Sequence, residues 1–247
     1  DMLAEVVVAR DHALEASVQE LPPAPTSLPD GSVLVHISKF ALTSNTVTYA
    51  LMGNMPGMQC FDHYPRADDD GKYARSPCWG TGVVTLSECS EVPVGSRLHG
   101  YYPMSPYCVL TPGKVSTVHG HINFQDSAPH REKLLFPYRM YRTKPPAASA
   151  DEEDLQTADG LLFSTGWSAA QHALLTQGET GATALLLTSA SSRTALTAAF
   201  AAKHHKIGLE VIALTSKQNK AYVEATGLYD SVFTYDRESI AQMKQQR

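Results

Sequence analysis

The chain has 247 residues, 43% of them hydrophobic and 18% charged, which suits one large or two ordinary folded domains and not a disordered chain. A formal net charge of −5 without a Lys/Arg block argues against nucleic-acid binding, and no apolar run reaches the ~20 residues of a membrane span. Cys60, Cys78, Cys89 and Cys108 are irregularly spaced with no Cys-x-x-Cys pair, so they support no disulfide scaffold, zinc ribbon or thioredoxin motif and suit reduced thiols of a soluble intracellular protein, in cytoplasm or organelle lumen alike.

As far as about Val115 the chain reads as β-rich. LAEVVVAR (Leu3–Arg10) and SVLVHISKFAL (Ser32–Leu42) have the β-branched content of strands, and the proline-rich PPAPTSLPDG between them forbids a helix. TSNTVTYALMG (Thr43–Gly53) predicts a short helix, capped by Thr43 or Ser44 and stopped near Gly53. The acidic ADDDGKY (Ala67–Tyr73) is expected to be a solvated loop, since its aspartates lack the remaining spacing of a calcium loop. WGTGVVTLSE (Trp79–Glu88) and VGSRLHGYYPMSPYCVL (Val94–Leu110) continue the pattern of short strands between Gly/Pro turns. A small β-barrel domain over residues 1–120 is therefore predicted.

Residues 121–157 are irregular and are expected to connect two domains. ADGLLFSTGWSAAQHALLTQG (Ala158–Gly178) has helical spacing and opens the second domain, 158–247. There ATALLLTSA (Ala182–Ala190) is a continuous apolar run, expected of a strand buried on both faces. The helix SRTALTAAFAAKHH, the strand LEVIALTS, the helix KQNKAYVEATG and the strand SVFTYD follow, giving a βαβαβ mononucleotide-binding half. The chain then closes on a basic-polar tail, SIAQMKQQR. A full six-stranded sheet needs more residues, so the sheet is expected to be either incomplete at the C-terminus or naturally abbreviated.

The order of these segments resembles the medium-chain dehydrogenase/reductase superfamily, especially its zinc-free quinone-oxidoreductase branch. EVPVGSRLHGYYP, YCVLTPGKVS and GLYDSVFTYD are similar to that family's conserved turn and strands, and LTSNTVTYALMG, LLLTSASSRTA and LTSKQNKAYVE are similar to the DUF2855 family. The resemblance covers nearly the whole chain and implies an α/β fold: a GroES-like β-barrel domain followed by a Rossmann-type doubly wound domain. It further implies hydride transfer from a nicotinamide cofactor to a small carbonyl, enone or quinone in the cleft between domains.

The phosphate loop is unusual. In SASSRTA, where dinucleotide-binding folds carry glycines for the tight turn and backbone approach, there is none. Ser189, Ser191 and Ser192 still offer hydroxyls, Ala190 and Ala195 are small enough for close packing beside Thr194, and Arg193 adds a cation at a helix N-terminus. The other reading is that Ser191 or Ser192 merely caps a helix. After the second strand, Thr215-Ser216-Lys217 replaces the acid usual in NAD enzymes; hydroxyls and a lysine suit a 2′-phosphate, so NADPH is expected over NADH, against the alternative of a solvated polar turn.

No catalytic zinc is expected. Thr43-Ser44-Asn45 and WGTG stand where zinc-dependent relatives of this fold carry ligands, and Cys60-x-x-His63 and His119-Gly-His121 are pairs without partners. Neither a Tyr-x-x-x-Lys pair nor a Gly-x-Ser-x-Gly elbow occurs. The resemblance places Ser44, with Asn45 beside it, at the polar position near the nicotinamide, Tyr49 as a candidate proton donor, and Thr165 near the ring. Tyr101 and Tyr102 are candidates, with Tyr49, to line an aromatic slot for a planar substrate; the alternative is that these tyrosines edge the core. Thr165 also reads as an ordinary helix start, and His204-His205 as a structural helix end. The expected partner is a small molecule, with a homo-oligomer and a subunit of a larger complex both open. The competing functional reading is a non-catalytic scaffold or accessory subunit, or an NADPH sensor without turnover.

Overall fold

The computed structural model describes residues 3–66, 71–145, 149–206 and 208–245, so the aspartates of the 67–73 loop fall outside the described residues. The chain divides into two units, Asp1–Ala158 and Asp159–Arg247.

The first unit is antiparallel. Its strands are β1 (Ala4–Ala9), β2 (Ala16–Glu20), β3 (Val33–Phe40), β4 (Tyr73–Ala74), β5 (Pro77–Ser87), β6 (Arg97–Pro103), β7 (Tyr107–Leu110), β8 (Ser116–Val118), β9 (His121–Gln125) and β10 (Met140–Thr143). Helix α1 (Ser44–Leu51) follows β3, and short 3₁₀ turns occupy Cys60–His63, Pro129–Arg131 and Phe136–Arg139. A three-stranded sheet runs β2-β1-β4, and a seven-stranded curled sheet runs β7-β3-β5-β6-β10-β9-β8. Alternation along β3, β5 and β6 drives Val33, Val35, Val84 and Leu98 into one core, closed by Tyr102, Phe124 and Tyr141.

Residues 121–157 are not a mere connection. β9 and β10 complete the large sheet, with Arg142 opposite His99 of β6 and Tyr141 opposite Phe124 of β9. Strands of four and five residues separated by turns show too few alternations to be seen in sequence. The β8–β9 hairpin turns on His119 and Gly120, both left-handed (φ 50° and 76°), so His119 serves a tight turn.

The second unit is parallel. Helix α2 (Ala150–Thr180) begins before the boundary and ends inside this unit; β11 (Ala184–Thr188), α3 (Arg193–His204), β12 (Glu210–Thr215), α4 (Lys220–Ala225), β13 (Ser231–Thr234) and α5 (Arg237–Gln245) follow. The sheet order is β11-β12-β13, with Leu185 beside Val211 and Ala213 beside Val232. β12 lies between two neighbours and is buried beyond its first residue. β11 is an edge strand among the described residues, and Leu186 is 44% exposed, so the expectation of burial on both faces does not hold. An apolar run reports that a strand can be buried, not that a neighbour lies on each side.

Two features hold the helices close. Alanines 195, 198, 199, 201 and 202 of α3 are all buried. Gly166 of α2 meets α3 so closely that a Cβ there would lie 2.4 Å from the Thr194 carbonyl oxygen and 2.8 Å from the Ala198 nitrogen. The expected polar tail is mostly α5, whose Ile240 and Met243 pack against Ile212, Leu214 and Phe233.

Candidate functional site

In the antiparallel unit, the turn from β3 into α1 is fixed by the Thr43 N–H donating to Thr46 Oγ1 at 3.2 Å. Ser44 is exposed and Asn45 half-buried on the first turn of α1; one turn on, Tyr49 is 5% exposed. The Trp79 indole N–H donates to the Tyr49 hydroxyl oxygen at 3.0 Å. Tyr101 of β6 packs edge-on to Tyr49 with centroids 5.1 Å apart, and Tyr138 does the same at 5.7 Å. Cys60, Met52 and Met58 fill the remaining wall of this aromatic cluster. A cleft of about 320 Å³ opens beside the same β3–α1 turn, lined by Lys39, Phe40, Ala41, Asp154 and Thr157.

Tyr101 and Tyr102 do not share a slot. Neighbours on a strand point to opposite faces, so Tyr101 joins Tyr49 while Tyr102 enters the main core and donates to the Leu98 carbonyl at 3.2 Å. Neither has exposed surface. Tyr138 is the member that sequence reasoning missed, because it lies in the stretch read as a connection and no local pattern marks it.

Three titrating groups around the cluster have shifted equilibria. Burial, then the neighbouring Arg131, His130 and Arg139, pushes His63 down to about 3. Burial and Lys144 push His99, stacked on Trp79 at 5.9 Å, down to about 4. Burial raises the Cys60 thiol, against a hydrogen bond with Tyr101 that lowers it. The two histidines are therefore neutral near pH 7, and Cys60 is held as a thiol. Cys60 and His63 sit together on one 3₁₀ turn, but among the described residues no group of three or more His, Cys, Asp or Glu is placed to hold a metal ion.

In the parallel unit, the glycine-free turn keeps a glycine-like backbone. Ser189 is left-handed, φ 49°, a conformation that costs a residue with a Cβ roughly 1–2 kcal/mol. Ser192 caps α3, its hydroxyl accepting from the Ala195 N–H at 3.3 Å, and Arg193 and Thr194 form the first helical turn. The cap reading and the anion-binding reading of this loop thus coexist: the helix start still presents N–H groups without intrahelical partners. Three further side chains, in a role the sequence does not signal, hold the loop. The Ser189 N–H donates to the Tyr235 hydroxyl at 2.7 Å, Tyr229 donates to the Ala190 carbonyl at 2.8 Å, and Asn219 Nδ2 donates to Ser191 Oγ at 2.9 Å. Only the Gly-free spacing hinted that something else must brace the turn.

At the end of β12, Thr215 is buried (1% exposed) and Ser216 caps the following 3₁₀ turn, accepting from the Asn219 N–H. Lys217 is largely exposed and lies 3.8 Å from Asp236. The Thr234 hydroxyl and the Ser239 N–H hold the Asp236 carboxyl below its usual range. An acid does reach this corner, but from the end of the third strand. Thr165 is not a helix start: it lies midway along α2, its hydroxyl donating to the Leu161 carbonyl at 2.9 Å. His204 ends α3 and His205 caps it, and both pack against Trp167, at 5.3 and 4.7 Å.

The Ser189–Thr194 turn carries the donor types a phosphate accepts from: a helix N-terminus, the hydroxyls of Ser189, Ser191, Ser192 and Thr194, and the exposed Arg193. The described residues contain no helix long and apolar enough to cross a membrane. Comparison with known proteins agrees with the fold. No curated protein matches the chain. Among solved structures, mycobacterial Rv1454c complexed with NADPH is similar at 15% identity and a TM-score of 0.53, over 95% of this chain and 58% of that one. CurA from Vibrio vulnificus in complex with NADPH is similar at 14% identity and a TM-score of 0.57, over 98% and 61%. The quinone oxidoreductase from Coxiella burnetii gives 15%, 0.52, 98% and 65%. The chain thus spans less than two thirds of each of these structures, and the likeness is one of fold. The family described as a protein of unknown function (DUF2855) matches residues 40–246, so the chain belongs to the DUF2855 family, built on the medium-chain dehydrogenase/reductase fold.

Proposed function

We propose that the protein is an NADPH-dependent, zinc-independent oxidoreductase that reduces a small carbonyl, enone or quinone. The observation that carries this reading is the Ser189–Thr194 turn, which keeps a left-handed residue and a capped helix start without the glycine that would make either easy. Ser189, Ala190, Ser191, Ser192, Arg193 and Thr194 would hold the pyrophosphate; Thr215, Ser216 and Lys217 would meet the adenine-ribose phosphate, with Thr165 toward the nicotinamide. Two of the similar structures are described as NADPH complexes, which supports the same cofactor here. A reduced nicotinamide supplies a hydride. The chain's own residues would orient the substrate: Ser44 and Asn45 contribute polar contacts beside the cleft next to the β3–α1 turn, and Tyr49 donates the proton.

A second reading is favoured by one observation: part of the loop's donor capacity is already engaged, Ser189 N–H by Tyr235 and Ser191 by Asn219. In that case the unit is a scaffold that has kept the turn for its own stability. Titration with NADPH and NADH, followed by nicotinamide fluorescence, separates the two. Micromolar NADPH binding that weakens about tenfold in Lys217→Ala, one lost charged contact, is the expected result. A folded protein that binds neither nucleotide would remove the oxidoreductase reading.

A further inference from the structure

A cavity of about 220 Å³ lies in the antiparallel unit and shares no lining residue with the cleft beside the β3–α1 turn. Leu21, Pro103 and Val109 give it an apolar side, while Pro65 and His130, both exposed, bring it to the surface. Arg75 and Arg131 give it a charged side, and among the described residues no Asp or Glu lines it. The acids that balance these arginines stand behind the wall: Glu5, paired with Arg75, is 2% exposed, and Asp126, paired with Arg131, is fully buried. The cavity thus meets two guanidinium groups and neither carboxylate.

Arg131 is 3% exposed and held from three sides. Its Nε donates to the His63 carbonyl at 2.6 Å, its Nη1 donates to Asp126 Oδ2 at 2.6 Å, and its guanidinium carbon lies 4.1 Å from the centre of the Tyr64 ring. Asp126 is fixed in turn by the Thr111 and Ala128 N–H groups, at 3.2 and 2.8 Å. That leaves Nη2, which has no hydrogen-bond partner among the described residues. Nη2 is not sealed away from solvent, and the space that Arg131 lines is this cavity. A guanidinium stays charged and carries five N–H donors, so both donors of Nη2 are left for a group the protein does not supply.

We propose that this cavity is a binding site for a compact monocarboxylate, whose oxygens meet Arg131 Nη2 and whose apolar body lies against Leu21, Pro103 and Val109. The site stands apart from the reductase reading and needs no cofactor. Size sets the ligand class: the volume equals roughly seven waters at ~30 Å³ each, below the range of about 300–1,000 Å³ for drug-sized ligands. Charge selects an anion over a neutral isostere, because N–H donors on a cation bind carboxylate more strongly than a neutral carbonyl. The apolar side selects a carboxylate with a hydrocarbon body over inorganic phosphate, which would lose its hydration there without recompense.

The test is calorimetric titration of the full chain with benzoate, benzamide and inorganic phosphate, none of which reports on NADPH binding. Benzoate is expected to bind with a dissociation constant of about 10⁻⁴ M, and benzamide and phosphate at least about tenfold more weakly. Arg131→Lys keeps a charge for Asp126 but removes Nη2, and should weaken benzoate about tenfold. Val109→Phe leaves every Arg131 contact in place and narrows the cavity from its apolar side, so it should weaken benzoate as much in a chain of native thermal stability. Benzoate that does not bind, that binds no better than benzamide or phosphate, or that binds Val109→Phe as it binds the native chain overturns the proposal.

Discussion

The two units assemble their candidate chemistry by opposite means. In the antiparallel unit the groups are side chains, buried, and scattered along the chain: Tyr49, Trp79, Tyr101 and Tyr138 come from a helix, two strands and a 3₁₀ turn. In the parallel unit they are contiguous, Ser189 to Thr194, largely exposed, and carried by the backbone of one strand–helix turn. A backbone turn tolerates changes of side chain as long as its conformation survives, which is how this strand–helix turn exists without glycine. A side-chain site depends on strand register and on the packing around it, and a single slip moves every member to the wrong face.

Because the chain has two tryptophans, one in each unit, the comparison can be broken apart by single-tryptophan unfolding. The largest effect is expected from Asp126→Asn. Asp126 is fully buried, accepts from Arg131 Nη1 at 2.6 Å and from the Ala128 N–H at 2.8 Å, and its loss leaves Arg131 charged in the core. Removing one partner of such a pair costs about 3–5 kcal/mol, so the transition followed by Trp79 should move and the one followed by Trp167 should stay. Coincident shifts would mean that the units do not unfold separately.

Acid should discriminate the units next. His63 and His99 titrate at about 3 and about 4 in the folded chain, against roughly 6.5 when unfolded. The unfolded chain therefore binds protons first as pH falls; stability from these groups is complete above about pH 6.5 and is lost on the way down toward 3–4. The slope is on the order of 1.4 kcal/mol per pH unit for each buried histidine, visible at Trp79 between pH 7 and 5 and flattened in His63→Gln. A pH-independent Trp79 transition contradicts the burial of both rings. The smallest effect falls on the other unit: Ser189→Gly should stabilise it by about 0.5–1 kcal/mol, the relief of left-handed strain less the added chain entropy, read at Trp167. No gain there would mean that Tyr235 and Asn219 already offset the strain.

How much was legible follows the same division. The βαβαβ order could be read because its signals are local: an apolar run, an alanine-rich helix, a capping serine. What periodicity cannot convey is how fully a strand is covered, and so β11 was expected to be buried on both faces although Leu186 is 44% exposed and the strand lies at the sheet edge among the described residues. Thr165 was misplaced because α2 starts eight residues before the expected helix, in a polar stretch whose first turn is rich in acids. Tyr49 could be singled out from its helix, but its partners required tertiary information. Tyr101 and Tyr102 were paired by adjacency when the pleat sends them apart, and Tyr138 sits on a turn with no repeating signature. The bracing role of Tyr235, Tyr229 and Asn219 could not be read for the same reason, since they lie 46, 39 and 28 residues from the loop atoms they hold.

Gly166 carries one consequence for how such a sequence can change over time. The turn itself carries no glycine, yet close backbone approach is met on the facing helix, where any Cβ at position 166 would strike the α3 backbone at Thr194. Change in the Ser189–Thr194 turn meets solvent at its exposed positions, Ser189, Ser192 and Arg193. Change at position 166 meets backbone instead, and the first extra carbon pries two helices apart before any other substitution can compensate. A lineage can therefore rewrite the Ser189–Thr194 turn more freely than the hidden contact at Gly166.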